Sequence, residues 1–252
     1  MSSEAIIRVR DLKVQYGDRV ILKDVNFDVK RGEIFVIVGG SGCGKSTLLR
    51  QLIGLENPTQ GTIIIDGANL TNANEKEAIK IMRKNGVLFQ FNGLFASMTL
   101  EENIALILDK YTALTTEQIK EVVDLKLSLV GLSGFQNYKP AEISGGMKKR
   151  AALARAMAID PDILFFDEPS SGLDPLTAAS FDNLIKELNV ALNTTMVIVT
   201  HDLDSILSIS HRIIMLDSSV QGILTTGTPD ELKNDKSNET VYRFFNRLLV
   251  KN

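Results

Sequence analysis

Cysteine, a secretory signal and long apolar runs are scarce or missing in this sequence. Cys43 is the single cysteine among 252 residues, which excludes an intramolecular disulfide. Residues 1–4 lack the basic and then apolar pattern of a secretory signal, and no apolar run approaches the roughly 18 residues that cross a bilayer. We therefore expect a cytoplasmic protein, and if it serves a membrane, another chain must cross that membrane.

An excess of basic residues is also absent. The formal net charge is −3 and the isoelectric point is near 5.5. A protein that grips a phosphate backbone along an extended face is expected to be basic, so we expect no nucleic-acid partner. Hydrophobic residues make up 44% of the chain, and this fraction can fill the core of one large domain or two small ones.

The hydrophobic pattern divides the chain into three parts. Residues 6–65 are mostly strand-like, residues 75–158 are mainly helical, and strand character returns at residues 163–166 and 195–200. Strands that alternate with helices are typical of a parallel sheet. The pattern predicts an α/β fold in which both ends of the chain build one sheet and the middle is a helical insertion.

A glycine-rich loop follows a short apolar strand at residues 34–38. The loop and the start of the next helix contain Gly39, Gly40, Ser41, Gly42, Cys43, Gly44, Lys45, Ser46 and Thr47. Glycines let backbone N–H groups converge on phosphate oxygens, and the helix N-terminus adds partial positive charge. Lys45 supplies a charge for the β- and γ-phosphates, and the Ser46 hydroxyl can reach Mg²⁺. This arrangement predicts a nucleotide site, because a plain glycine turn leaves Lys45 and Ser46 unexplained.

Two acidic residues, Asp167 and Glu168, directly follow the apolar strand at residues 163–166. Open α/β sheets bind ligands at the carboxyl ends of their strands. Asp167 is expected to hold Mg²⁺ through water, and Glu168 to activate the attacking water as general base. The pair could instead cap the next helix, an alternative that the acidic pattern alone leaves open.

Polar side chains also follow two other predicted strands. His201 comes after residues 196–200, where an imidazole can bond a γ-phosphate, whereas His211 is expected to be a surface or packing residue. Gln90 comes after residues 87–89, and its amide can contact Mg²⁺ or water. The predicted catalytic residues are Glu168, His201, Lys45 and Gln90, and the predicted metal ligands are Ser46, Gln90 and Asp167.

Taken in order, these motifs resemble those of ABC transporter nucleotide-binding domains over nearly the whole chain. Residues 39–47 resemble the Walker A loop, Gln90 the Q-loop, residues 163–168 Walker B and His201 the switch histidine. Residues 143–147 resemble the signature motif, residues 171–174 the D-loop, and Tyr16 the aromatic residue that stacks on adenine. Ser144 can bond a phosphate while Gly145 and Gly146 expose backbone N–H groups, although an ordinary capped helix has the same pattern.

The resemblance implies a P-loop NTPase with a RecA-like parallel core, an N-terminal antiparallel β subdomain and a helical insertion. It implies one ABC ATPase domain over residues 1–252. Residues 1–90 and 160–228 then form the β subdomain and the core, residues 91–159 the helical signature subdomain, and residues 229–252 the tail helix.

The resemblance also implies that ATP and Mg²⁺ lie between the Walker A loop of one subunit and the signature motif of a second copy. The nucleotide contacts implied are Tyr16, residues 39–47, Ser144, Gly145, Gly146 and Asp174.

Two positions depart from the commonest family pattern. Ile143 stands where leucine is usual, and Met147 where glutamine is usual. Serine-Gly-Gly-Met followed by basic residues is similar to the subgroup that powers Mla and Mce lipid transport, as are residues 89–95 and 241–245. This similarity implies phospholipid transport that maintains outer-membrane lipid asymmetry.

The same similarity implies where the protein acts and with which partners. The ATPase would sit on the cytoplasmic face of the inner membrane, held peripherally by a separate permease. A small regulatory subunit and a lipid-binding Mce-type protein would be further partners. The alternatives are an importer ATPase for amino acids or other small solutes, a soluble non-transport ABC ATPase, and a binding module that Glu168 and His201 disfavour.

Two apolar segments each have two interpretations. Residues 91–98 can pack the helical insertion or form a docking groove for a permease helix. The last predicted helix, residues 240–250, carries Phe244, Phe245, Leu248 and Leu249. These side chains can pack on their own domain or reach a neighbouring subunit, and the resemblance favours the neighbour.

Overall fold

The computed structural model describes residues 4–248, and its strands form two sheets. The strands are β1 (Ala5–Tyr16), β2 (Arg19–Lys30), β3 (Ile34–Gly39), β4 (Gln60–Ile65), β5 (Ala68–Asn69), β6 (Asn85–Leu88), β7 (Ile163–Asp167), β8 (Thr195–Val199), β9 (Arg212–Asp217) and β10 (Gly222–Gly227). The α-helices are α1 (Lys45–Leu52), α2 (Glu75–Met82), α3 (Leu100–Tyr111), α4 (Thr116–Leu129), α5 (Gly145–Ala156), α6 (Pro175–Leu192), α7 (Leu203–Ile209), α8 (Pro229–Asn234) and α9 (Glu239–Phe245). A short 3₁₀ helix, Pro140–Glu142, precedes α5.

The strand order places the carboxyl ends of the four strands that precede the predicted site residues along one edge of the larger sheet. The smaller sheet is antiparallel with the order β2-β1-β4-β5. The larger sheet has the order β10-β9-β3-β8-β7-β6, and its strands are parallel except at the β9/β10 pair. The carboxyl ends of β3, β8, β7 and β6 therefore lie on the same edge, as the predicted α/β architecture requires.

The central strand β3 is buried on both faces, as its unbroken apolar sequence predicts. Phe35 and Ile37 belong to a core shared with α1 and the antiparallel sheet. Val36 and Val38 belong to a second core shared with α3 to α7. Successive side chains of a strand point to opposite faces, so β3 contributes to both cores. This packing fixes the position of the loop that follows β3.

The helices largely follow the predicted periodicity. Helix α1 begins at Lys45 as predicted, and its apolar face, Leu48, Leu49, Leu52 and Ile53, is buried. The predicted helical middle contains α2 to α5 and is interrupted by β6. The proposed subdomain boundaries after residues 90, 159 and 228 fall between these elements, and the division itself stays a prediction. None of the helices between residues 4 and 248 is both long and apolar enough to span a bilayer.

The last described helix, α9, packs on its own chain. Val241 and Phe245 are buried in the core that contains α3 to α7, and Phe244 is partly buried against it. Leu248 is half-exposed, and the predicted residues Leu249 and Val250 lie outside the described residues. Internal packing therefore accounts for Phe245.

Candidate functional site

The loop between β3 and α1 requires glycine at two positions for different steric reasons. Gly39 has a φ of 147°, and a Cβ there would lie 2.3 Å from the backbone oxygen of Leu216. Gly44 has a φ of 104°, and a Cβ there would lie 2.8 Å from Leu22 Cδ2. These φ values disfavour any side chain, and the neighbouring strands leave no room for one. The loop is thus held close against β9 and β2.

The N-terminus of α1 is built to receive an external acceptor. Each of α2 to α9 has an N-cap side chain that accepts a backbone N–H, whereas the N-cap of α1 is Gly44, which has no side chain. Its first-turn N–H donors therefore stay available to an anion. Lys45 Nζ donates to the carbonyl oxygens of Gly39 and Gly40 at 2.8 and 3.0 Å, so the ammonium group lies against the loop. These donors fit a phosphate group.

Cys43, inside the loop, points into the core. Its side chain is buried beside the residues of the antiparallel sheet, and burial raises the pKa of its thiol. The N–H of Cys43 donates to the oxygen of Gly40, and its Sγ lies 4.0 Å from Lys45 Nζ. Ser41 and Ser46, by contrast, are exposed.

The acidic pair lies at the end of β7 and does not cap a helix. The next helix, α6, begins only at Pro175, and Asp174 caps it by accepting the N–H groups of Leu176 and Thr177. Glu168 instead has a φ of 49°, and its N–H donates to the oxygen of Val199 at 2.8 Å. The helix-capping alternative for Asp167 and Glu168 is therefore wrong.

Glu168 meets His201 across neighbouring strands. His201 Nδ1 lies 2.8 Å from Glu168 Oε2. The carboxylate is mostly buried, whereas the imidazole is 70% exposed, so the ring can reach a ligand in front of the sheet edge. The second histidine is used differently, because His211 Nδ1 accepts the N–H of Ile34 at 3.0 Å and so supports the start of β3.

Asp167 sits in surroundings that favour a nearby cation. Burial and the adjacent Glu168 raise the pKa of its carboxyl, against the opposing charges of Arg50, Lys149 and Lys45. No group of three His, Cys, Asp or Glu side chains in residues 4–248 forms a metal cage by itself. Mg²⁺ is usually held by one or two protein oxygens together with phosphates and water. The Ser46 hydroxyl and the Asp167 carboxylate have the donor chemistry for such a site, and so does the Gln90 amide oxygen.

Gln90 lies beyond the end of β6 and is exposed. Its Nε2 is 3.5 Å from Ser171 Oγ, and its backbone oxygen accepts a hydrogen bond from Lys149 Nζ at 2.8 Å. The same ammonium group is 3.5 Å from the backbone oxygen of Glu168. The sequence analysis did not identify Lys149. A signal was present, because residues at spacings of three and four share one face of a helix, and Lys149 has the buried Ala152 and Leu153 at those spacings in α5.

The residues of the signature motif begin α5. The hydroxyl of Ser144 accepts the N–H of Met147 at 3.3 Å, as in an ordinary N-cap. A Cβ on Gly146 would lie 2.6 Å from Thr177 Cγ2, so glycine lets α5 approach the first turn of α6 closely. Ser144 and Asp174 thus cap neighbouring helices, and the hydrogen bonds found for them in the described chain lie within those caps.

Tyr16 ends β1 and keeps about half of its side chain exposed. Its hydroxyl donates to Glu56, and this hydrogen bond is the main reason why the pKa of Tyr16 is raised. The hydrogen bond to the Glu56 carboxylate holds the Tyr16 ring in place, and part of the ring faces solvent. The geometry leaves Tyr16 able to stack on a planar ligand.

A groove of about 430 Å³ lies between β6, α2, α3 and α5. It is lined in part by Met82, Phe95, Ile107 and Tyr111, with Arg83 and Arg155 among the aromatic rings. Phe91 lies two positions before the groove residue Gly93 in the sequence. It is 87% exposed, so its ring does not pack the helical insertion. Leu94, in the same segment, is partly buried against the core. Core packing thus holds for Leu94 and not for Phe91, and the docking of a permease helix stays a prediction.

Comparison with known proteins places this architecture in a family. Residues 22–171 match the family described as ABC transporter. The chain is 40% identical over 231 residues to the "Intermembrane phospholipid transport system ATP-binding protein MlaF" of Haemophilus influenzae, covering 91% of this chain and 86% of the relative. It is 44% identical over 198 residues to the "Probable ribonucleotide transport ATP-binding protein mkl" of Mycobacterium leprae, covering 79% of this chain and 57% of the relative.

Solved structures agree with this assignment. One is an ATP-binding cassette in a dimeric post-hydrolysis state bound to ADP and Pi, with a TM-score of 0.79 and 33% identity, covering 88% of this chain and 98% of that one. Another is cbiO1 of Clostridium perfringens, part of the ABC transporter complex cbiONQ, with a TM-score of 0.85 and 29% identity, covering 97% of this chain and 96% of that one. The chain belongs to the ABC transporter family.

Proposed function

We propose that this protein is the ATP-hydrolysing subunit of an ABC transporter that moves phospholipid through a separate membrane permease. The observation that carries the hydrolytic part is the 2.8 Å contact between His201 and Glu168 on the sheet edge where the glycine loop begins. The lipid part is supported by the similarity to a relative named for intermembrane phospholipid transport, which extends over most of both chains. Such a transporter would maintain the lipid asymmetry of an outer membrane.

The glycine loop and α1 bind the phosphates of ATP in this proposal. The uncapped N–H groups of α1 donate to phosphate oxygens, and Lys45 exchanges the carbonyls of Gly39 and Gly40 for them. Tyr16 stacks on the adenine with its hydroxyl held by Glu56. Mg²⁺, held by Ser46, Asp167 and Gln90, would neutralise the charge that develops on the phosphate oxygens.

Glu168 and His201 act on the attacking water. A carboxylate has two oxygens, so Glu168 can accept a hydrogen bond from His201 at Oε2 and a proton from water at Oε1. The water oxygen attacks the γ-phosphorus while the bond to the bridging oxygen of ADP breaks, which gives ADP and phosphate. His201 orients the water and the γ-phosphate from the exposed side of the pair.

A second copy of the chain completes the nucleotide site in this proposal. Ser144, Gly145 and Gly146 of one copy face the phosphates bound by the other, with Asp174 nearby on the D-loop. The start of α5 is suited to this role because its N-terminal N–H groups carry partial positive charge. A related cassette of known structure is a dimer with bound ADP and Pi, which supports the pairing.

The permease docks at the groove between α2, α3 and α5 in this proposal. Phe91 lies two positions before the groove residue Gly93 in the sequence and is 87% exposed, so its ring is available to a partner. Docking there would hold the subunit on the cytoplasmic face of the inner membrane. A small regulatory subunit and a lipid-binding Mce-type protein are the further partners we propose from the resemblance.

Lipid analysis of the intact complex tests the cargo. The chain is purified together with the permease that it captures, and the bound small molecules are identified by mass spectrometry in the presence and absence of ATP. We expect phospholipids that are released or transferred to acceptor vesicles when ATP is hydrolysed. The Glu168→Gln variant of the complex is the matched control and should retain lipid without transfer. Polar solutes alone, with no phospholipid, would refute lipid transport and favour a small-solute importer.

A further inference from the structure

Three consecutive basic residues of α5 have three different environments. Lys148 is partly buried, whereas Arg150 donates to the backbone oxygen of Val130 and to Ser180 Oγ, joining α5 to its neighbours. Lys149 is only 3% exposed, and its side chain points towards the ends of β6 and β7. Successive residues of a helix point about 100° apart, so the middle residue alone of the three reaches the site edge.

The ammonium group of Lys149 joins two loops of the proposed hydrolysis site. Nζ donates to the backbone oxygen of Gln90 at 2.8 Å and lies 3.5 Å from the backbone oxygen of Glu168. Burial lowers the pKa of Lys149, and the nearby charges of Asp167 and Glu168 oppose that shift. A buried cation is costly unless it is paired and hydrogen-bonded. Its position between two carbonyls and two carboxylates supplies that compensation.

Glu168 needs external support for its backbone. Its φ of 49° is a left-handed conformation that residues with a side chain seldom adopt. The N–H of Glu168 is held by Val199 on β8, and its carbonyl faces Lys149 on α5. The two contacts fix the peptide groups on either side of the strained residue, and the direction of its carboxylate depends on both.

We propose that Lys149 is a positioning residue of the hydrolysis site: it ties the signature helix α5 to the backbone of Gln90 and of Glu168. The inference rests on the proposed ATP hydrolysis and adds a residue to it. Because one ammonium group contacts both loops, a displacement of α5 moves Gln90 and Glu168 together. The helix that begins at the signature motif is thereby linked to the position of the general base within the same subunit.

Replacement of Lys149 by methionine tests the inference in the full-length chain. Methionine keeps a long unbranched side chain but removes the ammonium donors, so the fold is retained while both carbonyls lose their partner. We expect kcat for ATP hydrolysis to fall roughly 10- to 100-fold while KM for ATP changes less than about threefold, the pattern of a displaced general base with intact binding. Hydrogen exchange should become faster at residues 89–92 and 168–171 and stay unchanged in α4.

Two further variants separate positioning from stability. Lys149→Arg keeps a buried cation with several donors and should restore kcat to within about fivefold of the wild type. Lys148→Met removes a lysine from the same helix and should behave as the wild type in kinetics, exchange and urea unfolding. If Lys149→Met does not fold, Lys149→Leu is measured against the same criteria, because its side chain also lacks any hydrogen-bond donor.

Failure of the Lys149 inference and failure of the proposed function give different results. Wild-type turnover in the methionine variant, or an exchange increase spread over the whole chain, would overturn the inference and leave Lys149 a structural residue. Absence of ATP hydrolysis in the wild type would instead refute the proposed function. In that case the exchange comparison at residues 89–92 and 168–171 still decides whether Lys149 positions the two loops.

Discussion

The imidazole of His201 and the carboxylate of Glu168 form a 2.8 Å contact between the ends of two adjacent parallel strands. If Nδ1 carries the proton, that proton faces the carboxylate, and in the neutral ring Nε2 is then an acceptor. The ring is thereby oriented by the same carboxylate that we propose as general base. Loss of either side chain changes the other, and the two substitutions should not have additive effects.

Glu168→Gln should suppress ATP turnover at least ~100-fold and leave ATP binding nearly unchanged, because the amide is isosteric but cannot take a proton. Phosphate release measures turnover, and equilibrium titration with a fluorescent ATP analogue measures binding. Glu187→Gln, which changes an exposed glutamate of α6, is the control. Unchanged turnover in Glu168→Gln would remove Glu168 from the catalytic role.

The two histidines should separate catalysis from stability. His201→Ala should lower kcat roughly 100-fold with little change in the urea midpoint, since His201 is exposed and acts on water and phosphate. His211→Ala removes the acceptor for the N–H of Ile34 and should cost about 1 kcal/mol of unfolding free energy while kcat is retained. Equal kinetic effects of the two substitutions would contradict the assignment of His201 to the site.

The stability of the α6/α7 contact should depend on pH through Asp182. This carboxyl is buried, Ser205 Oγ donates to its Oδ2 at 2.6 Å, and its Oδ1 has no partner among residues 4–248. Burial raises the pKa of Asp182, Ser205 opposes the shift, Asp202 adds to it and Lys186 opposes it. The protonated form is therefore favoured in the folded state. Its stabilisation is complete below the unfolded value of 3.8 and is lost as pH rises through the raised folded value.

Asp182→Asn removes this titration. The unfolding free energy of the variant, relative to the wild type, should increase as the pH rises from the unfolded value of 3.8 through the raised folded value. Urea unfolding at several pH values measures the difference, and Asp109→Asn, at an exposed position of α3, is the control. A difference that stays constant over this range would show that Asp182 is ionised in both states.

Phe91→Ser should weaken permease binding without loss of stability or ATP turnover in the isolated chain. Phe91 is 87% exposed, so its removal alters a surface and leaves the core intact. Co-purification with the permease measures the effect. Val190→Ser changes a residue that is 83% exposed on α6 and serves as the matched control. Equal recovery of the permease with both variants would refute docking at Phe91.

The sequence predicted the parts of the site better than their contacts. Glycine at position 44, Lys45 and the strand that precedes them are local signals, and α1 begins where they predict. The contact between His201 and Glu168 depends on β7 lying next to β8, and this neighbour relation is set by the packing of the whole sheet. The spacing of Lys149 from buried residues of α5 indicates its burial, but its partners are backbone atoms of distant loops, which no residue type in the sequence identifies.

The position of β8 between β3 and β7 has a consequence for the growing chain. β3, the glycine loop and β7 are all synthesised before β8, yet β8 is the strand that pairs with both β3 and β7 in the sheet. Such non-local parallel pairing forms late, since the intervening chain must first be ordered. A nascent or truncated chain can therefore contain Lys45 and Glu168 and still lack an assembled site. We expect hydrolysis to begin only after β8 has joined the sheet.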